Sequence, residues 1–132
     1  MRPILIVEND SLCAKAVEQT FNDLNIKVPL VKMTDAEKAL AYLTQESNNM
    51  PRLILLCLDA PVEFLSLVKS DKVFRTIPVV ILTTSANQDF IAQSFSYCAA
   101  GYIIKPGEYE HLLNVTKVII QYWTLCEFPE GK

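Results

Sequence analysis

The sequence predicts an α/β domain built on a five-stranded, doubly wound parallel sheet. Five short apolar runs, four of them rich in Val, Ile and Leu, have the length and composition of strands buried on both faces. Stretches with helical spacing separate these runs, and strict alternation of strand and helix requires parallel pairing through right-handed crossovers. The predicted strands are residues 3–7, 28–33, 53–58, 78–83 and 102–104.

Five helices are predicted after these strands, each with apolar residues that would form one buried stripe. The stripes are Cys13, Val17, Phe21 and Leu24 for the first helix, Ala36, Ala39, Leu40 and Leu43 for the second, Phe64, Leu67 and Val68 for the third, and Phe90, Ile91 and Phe95 for the fourth. The fifth and longest helix runs from about Glu108. Capping boxes mark two of the starts, with Thr34 and Glu37 before the second helix and Ser85 and Gln88 before the fourth.

Composition indicates one globular domain over residues 1–132, because this length can bury a core without disulfides or metal. A net charge of -3 argues against nucleic-acid binding by the domain itself. No apolar run reaches the roughly 18 residues of a membrane span, and the first residues do not form a signal peptide. We therefore expect a cytoplasmic protein that neither binds nucleic acid nor enters a membrane.

The cysteines lack the spacing of a metal or redox motif. They stand at positions 13, 57, 98 and 126 without a C-x-x-C pair, and His111 is the single histidine. We expect reduced, mostly buried thiols, and a His111 that lies on the surface rather than binding a metal.

Polar side chains follow the predicted strands where a doubly wound sheet places its ligand site. Glu8, Asn9 and Asp10 follow the first strand, and Asp59 follows the third. The fourth strand ends at Thr83, and Lys105 follows the fifth. Carboxylates, a hydroxyl and an ammonium group are suited to holding a divalent cation and a phosphoryl group.

At these strand ends the chain resembles the response-regulator receiver domains over nearly its whole length. The resemblance is carried by ILIVEND at 4–10, LILLCLDAP at 53–61, IPVVILTTS at 77–85 and YIIKP at 102–106. Residues 75–85, the pair Tyr122 and Trp123, and Pro129 are most similar to single-domain regulators associated with phytochrome-type histidine kinases. The resemblance implies a flavodoxin-like topology with strand order 2-1-3-4-5.

The resemblance also assigns expected roles at the strand ends. It implies metal-binding acids at Glu8 and Asn9, the phospho-accepting aspartate at Cys57, the switch hydroxyl at Thr83, the aromatic switch at Tyr102, the invariant lysine at Lys105 and a cis-proline at Pro106. Asp10 and Asp59 complete the acidic pocket. Asn9 and Cys57 depart from the family pattern, and the loop after Pro61 is shorter than usual.

These departures predict a degenerate receiver, or pseudo-receiver. A thiol with a pKa of about 8.5 cannot replace a carboxylate in forming an acyl phosphate. Asn9 and Cys57 each remove one negative charge from the acidic pocket. We therefore expect weak magnesium binding, with Glu8 as its main ligand, and no other cofactor. The expected function is a non-enzymatic module of phosphorelay signalling that binds a sensor histidine kinase or a downstream signalling protein.

Three alternative functions of this site are considered. In the first, Asp59 replaces the missing aspartate as the phosphoacceptor. In the second, Cys57 is a redox sensor whose thiol is activated by Lys105. Without phosphate, Lys105 would pair with Glu8 or Asp10. A flavin or nucleotide site is disfavoured, because the three glycines lie at 101, 107 and 131 and none follows the first strand.

The last helix carries more apolar residues than one core contact needs. Its second apolar face predicts a partner surface that includes Ile119, Tyr122 and Trp123. We expect a homodimer through the fourth helix, fifth strand and fifth helix, the surface that receivers resemble one another in using. The alternative is a helix packed deeply into its own domain.

Overall fold

The computed structural model describes residues 1–45 and 49–128 and has the predicted architecture. Five parallel strands form one sheet in the order β2-β1-β3-β4-β5. The strands are β1 (Ile4–Glu8), β2 (Leu30–Met33), β3 (Leu53–Cys57), β4 (Val79–Thr83) and β5 (Gly101–Ile104). The helices are α1 (Ser11–Asp23), α2 (Ala36–Thr44), α3 (Val62–Ser70), α4 (Gln88–Ser96) and α5 (Tyr109–Leu125). An unpredicted 3₁₀ turn, Phe74–Thr76, precedes β4.

Strand position in the sheet decides which strands are fully buried. Every residue of β1, β3 and β4 is buried, because these strands have neighbours on both sides and helices on both faces. The prediction was wrong for β2 and β5. These two are edge strands, and their residues are half-buried or exposed.

Side-chain alternation along the central strands divides the core into two layers. Ile4 and Ile6 point toward α1 and α5, where they pack with Val17 and Ile120. Leu5 and Val7 point to the opposite face, where the α2 and α3 side chains cover them. The sheet is thereby packed on both faces, and its strands end at one common edge.

The helix N-caps differ from the predicted capping boxes. Asp35, not Thr34, caps α2 and accepts a hydrogen bond from the Lys38 N–H at 2.8 Å. Asn87, not Ser85, caps α4 by accepting from the first-turn N–H groups. The Ser85 hydroxyl instead accepts from the Asn87 N–H, so it stabilises the turn that precedes the helix. In both helices a nearer Asx acceptor replaced the hydroxyl, as the preference for Asp and Asn at this position allows.

Two predicted stripes are only partly buried. Phe90 and Phe95 of α4 are exposed, and Ser94 is the one buried residue of that helix. On α3, Leu67 is exposed while Leu65 is buried beside Phe64. Periodicity correctly indicated the helices, but the tertiary contacts of α3 and α4 set which face meets the sheet.

The chain ends of the described part meet at the edge opposite the strand tips. The Phe128 ring stacks on Trp123, and the guanidinium groups of Arg2 and Arg52 lie 5.2 and 5.4 Å from its centroid. These contacts are cation–π in character and hold the segment after α5 against the domain. Residues 46–48 lie outside the described residues, as do Pro129 and Gly131. None of the helices in residues 1–45 and 49–128 combines the length and apolarity needed to span a bilayer.

Candidate functional site at the carboxyl edge of the sheet

The central strands bring the predicted site residues together at one edge. Glu8 ends β1, Cys57 ends β3, and the two are paired in register. Thr83 ends β4, and its carbonyl accepts the Lys105 N–H at 2.6 Å, which fixes the start of the segment after β5. The structure therefore assembles Glu8, Cys57, Thr83 and Lys105 as adjacent positions, as the strand-end rule predicted.

Glu8 is a buried carboxyl, with 7% of its surface exposed. One of its oxygens, Oε2, accepts the Asp10 N–H at 2.6 Å. Burial raises the pKa of Glu8, and the negative charge of Asp10 adds to this, although Lys105 and backbone hydrogen bonds oppose it. One of the two carboxyl oxygens of Glu8 is thus engaged by the loop between β1 and α1.

Glu8→Gln is expected to stabilise the domain at neutral pH, by no more than about 1 kcal/mol, because glutamine still accepts the Asp10 N–H without a buried charge. A raised pKa in the folded state means that ionised Glu8 destabilises the fold. That cost disappears as the pH falls through the folded pKa toward the unfolded value of about 4.3. Urea unfolding at several pH values should show the variant's advantage at pH 7.5 and its loss in acid. The idea fails if the advantage grows on acidification.

Asp10 and Lys105 form an ion pair at this edge. Lys105 Nζ donates to Asp10 Oδ2 at 2.6 Å, while Asp10 also caps α1 by accepting from the Leu12 N–H. The bond to Lys105 is the main reason that the pKa of Asp10 lies below its ordinary value. Burial alone would lower the pKa of Lys105, but Asp10 and Cys13 raise it. Of the two expected partners, the structure pairs Lys105 with Asp10.

Cys57 is a buried thiol in the same core layer as Cys13 of α1. Cys57 is 5% exposed and Cys13 1% exposed. The neighbouring Cys13 side chain and burial raise the pKa of Cys57 well above its ordinary value, so the group is a neutral thiol at pH 7. The expectation of mostly buried thiols holds for this pair only. Cys98 is exposed, in the left-handed region with φ of 66°, and Cys126 is half-buried.

Asn9 and Asp59 lie outside this cluster. Asn9 is exposed and lines an open groove of about 390 Å³ beside the ends of β1 and β2, together with Ser11 and Lys32. Asp59 is exposed in the bend after β3. It does not cap the next helix either, since α3 begins after Pro61 without a side-chain cap.

Thr83 and Tyr102 are joined through the loop after β4. Thr83 is buried, and its hydroxyl accepts from the Ser85 N–H at 3.4 Å. The Tyr102 hydroxyl donates to the Ser85 carbonyl at 2.8 Å. No cis peptide bond occurs in the described part of the chain, so the expected cis bond before Pro106 is absent. Lys105 reaches Asp10 with that bond in the trans form.

The residues present do not fit a magnesium ion. Magnesium prefers near-octahedral coordination by hard oxygen ligands, usually including carboxylates. Here the Glu8 carboxyl accepts a backbone bond, the Asn9 amide is exposed and neutral, and Cys57 supplies a sulfur. In residues 1–45 and 49–128 no three His, Cys, Asp or Glu side chains are grouped to hold a metal.

The predicted partner surface on α5 contains residues of two kinds. Ile119 is 6% exposed and packs in the core, so including it was wrong. Trp123 is half-buried between the core and Phe128. Tyr122 is 58% exposed, and it shares the outer side of α5 with Val118 and Leu125, which the periodicity did not single out as exposed. His111 is exposed, as predicted.

Comparison with known proteins agrees with this architecture. The family model of the response regulator receiver domain matches residues 4–117. The chain is 33% identical to the probable methanogenesis regulatory protein FilR2 of Methanothrix harundinacea, over 91% of this chain and 82% of that protein. It is 30% identical to the response regulator Rcp1 of Synechocystis, over 91% of this chain and 87% of that protein.

Solved structures show the same similarity. The Mn²⁺-bound form of Rcp1 superposes with a TM-score of 0.91 at 29% identity, covering 98% of this chain and 100% of that one. The phosphorylated cyanobacterial phytochrome response regulator RcpA superposes with a TM-score of 0.89 at 30% identity, covering 98% and 99%. Receiver domains are in general signalling modules rather than enzymes, and they interact with histidine kinases and downstream proteins. The family match, the strand order and these similarities place this chain in the response regulator receiver family of two-component signalling.

Proposed function

We propose that this receiver, as a single domain over residues 1–132, signals by protein–protein contact without aspartyl phosphorylation at its acceptor position. The observation that carries the proposal is Cys57. It ends β3 beside Glu8, where the family pattern requires a carboxylate, and its thiol is buried and neutral. The site therefore lacks a carboxylate nucleophile, and its acidic pocket does not fit the magnesium ion that phosphorylation needs.

The surrounding contacts are already satisfied without a phosphoryl group. Lys105 is held by Asp10, and the Tyr102 hydroxyl is held by the Ser85 carbonyl. Lys105 and Tyr102 stand at the positions to which the resemblance to the family assigns phosphate reading. The contacts favour one default arrangement of the edge, which a partner would recognise.

The unphosphorylated state is directly testable. Acetyl phosphate with Mg²⁺ should leave the intact mass of the reduced protein unchanged, because no accessible carboxylate stands at residue 57. Mass spectrometry measures the outcome, with an ordinary aspartate-bearing receiver treated in parallel to show that the donor is active. A phosphoryl adduct on the wild-type chain that is labile at alkaline pH would contradict the proposal.

Two matched variants identify the acceptor if such an adduct appears. Asp59→Ala removes the exposed acid after β3, and Glu8→Gln removes the buried acid beside Cys57. An adduct lost only in Asp59→Ala would establish the alternative in which Asp59 accepts the phosphoryl group.

The partner surface we propose comprises exposed apolar side chains of α4, β5 and α5. They are Phe90, Phe95, Ile104, Val118, Tyr122 and Leu125. Apolar side chains gathered on one side of a domain indicate a protein contact, and we propose a second copy of the chain as its occupant, with a kinase or downstream protein as the signalling partner. A cytoplasmic location would keep the four thiols reduced.

A further inference from the structure

We infer that Phe128, which follows α5, is a clamp that holds Trp123 and thereby positions Tyr122 for the partner contact that we propose on α5. The inference rests on the proposed function, because Tyr122 belongs to the proposed partner surface. It adds to that surface a positioning residue that lies outside it. Phe128 also lies beyond residue 117, where the match to the family model ends. The clamp therefore uses a part of the chain that the family match does not cover.

The fixed side of the clamp is a pair of arginines at the edge of the sheet where the strands begin. The Arg2 guanidinium donates to the carbonyls of Met50 and Pro51, at 3.2 and 2.8 Å. The Arg52 guanidinium donates to the Arg2 carbonyl at 3.0 Å, and the Arg52 N–H donates to the Pro3 carbonyl at 2.7 Å. These bonds join the chain before β1 to the chain before β3, so they hold both guanidinium groups without using any residue of α5.

The Phe128 ring connects this pair of arginines to α5. Both guanidinium groups lie over the ring, 5.2 Å from its centroid for Arg2 and 5.4 Å for Arg52. The same ring stacks on Trp123, with the two centroids 6.4 Å apart and the planes inclined by 29°. Cations attract the face of an aromatic ring, and paired rings prefer centroid separations of about 4.5–7 Å, so both contacts are favourable. Phe128 thus ties the last turns of α5 to a fixed part of the domain.

Trp123 passes this constraint to the exposed side of α5. Its indole packs against the core, and it meets the Tyr122 ring edge to face, with the centroids 4.9 Å apart and the planes at 90°. Tyr122 is 58% exposed, so its own domain covers little of its side chain. A side chain that is already ordered loses less conformational entropy when an interface buries it. Holding Tyr122 in place before contact therefore favours association.

Trp123 is the single tryptophan of the chain, so its fluorescence reports on the clamp directly. At a concentration where sedimentation velocity shows only monomer, Phe128→Ala should shift the Trp123 emission to longer wavelength, because the indole becomes more exposed to water. Hydrogen exchange of the α5 amides from Ile119 to Leu125 should become faster in the same variant, since the last turns of the helix lose their attachment.

The dimer assay measures the effect on the partner contact. Phe128→Ala should raise the dissociation constant of the dimer about two- to ten-fold, the loss expected when one more side chain must be ordered on binding. Phe128→Tyr keeps the ring and should retain the wild-type emission, exchange and affinity. Glu127→Gln changes the exposed neighbour and should leave all three unchanged. Phe128→Leu removes the ring but keeps apolar bulk, so it gives the same test if the alanine variant fails to fold, which circular dichroism shows.

The possible outcomes separate this inference from the proposed function. Unchanged emission and unchanged α5 exchange in Phe128→Ala would overturn the clamp. A shifted emission with undiminished dimer affinity would overturn its role in positioning Tyr122 for the partner. If the wild-type chain stays monomeric at every concentration, a second copy is not the partner, and the emission and exchange of the monomer still decide whether Phe128 holds Trp123.

Discussion

Cys57→Asp, the change that restores the family's residue, should lower the free energy of unfolding at pH 7.5 by about 3 kcal/mol. Residue 57 pairs in register with Glu8, and both side chains are buried. A new carboxylate there would face an existing one whose pKa burial already raises. The nearest ammonium, Lys105, already binds Asp10. Two buried carboxylates close together cannot both ionise without cost.

Urea unfolding at pH 7.5 and at pH 5 measures the effect and its cause. Because protonation relieves the repulsion, the loss caused by Cys57→Asp should be smaller at pH 5. Cys57→Ser is the matched control, since it changes the packing and polarity at the same position without adding charge. Equal losses for the aspartate and serine variants at both pH values would mean that carboxylate repulsion is not what the thiol avoids.

A double variant tests whether magnesium binding can be restored to the acidic pocket. Adding Asn9→Asp to Cys57→Asp returns both missing negative charges to this edge of the sheet. If the deficit in charge is what prevents magnesium binding, Mg²⁺ should raise the stability of the double variant and leave the wild type unchanged. Stabilisation of the wild type by Mg²⁺ would contradict our account of its donor groups.

The fold could be predicted almost entirely from the sequence, because strands buried on both faces have a strong compositional signature. The errors lie where a local pattern competes with neighbouring groups. Thr34 fits a capping box, but Asp35 stands one residue closer to the helix and binds the Lys38 N–H. Edge position cannot be read from composition either, so β2 appeared as buried as β1.

The site was predicted only at the level of the strands. Parallel strands must end at one edge, so Glu8, Cys57, Thr83 and Lys105 could be brought together by topology alone. Which core residues Cys13 faces depends on the rotation of α1 about its axis, which periodicity does not fix. The sequence indicated only that Cys13 heads the buried stripe of α1. The choice of Asp10 over Glu8 as the partner of Lys105 likewise depends on how far Glu8 is buried.

Ile119→Glu should unfold the domain, with a loss of more than about 4 kcal/mol, whereas Tyr122→Glu should change stability by less than about 0.5 kcal/mol. The two residues are nearly one turn apart on α5, and the helical pattern marked both as partner contacts. Ile119 packs among the core residues beneath the sheet, so a glutamate there would bury an unpaired charge. Tyr122 is mostly exposed, and a charge there stays in water. Circular dichroism and urea unfolding of the two variants measure the difference.

The same pair of variants separates core from interface. If the outer face of α5 joins two copies of the chain, sedimentation velocity should show a concentration-dependent dimer for the wild type and a folded monomer for Tyr122→Glu, because the charge would be desolvated in the contact. Glu110→Gln, on the exposed first turn of α5, is the control and should leave both stability and association unchanged. A dimer of undiminished affinity in Tyr122→Glu would place the contact elsewhere, and a folded Ile119→Glu variant would refute the assignment of that residue to the core. Apolar periodicity alone could not distinguish a core residue from an interface residue, because it treats Ile119 and Tyr122 alike. The stability of the two variants therefore measures independently which side of α5 packs against the domain's own core.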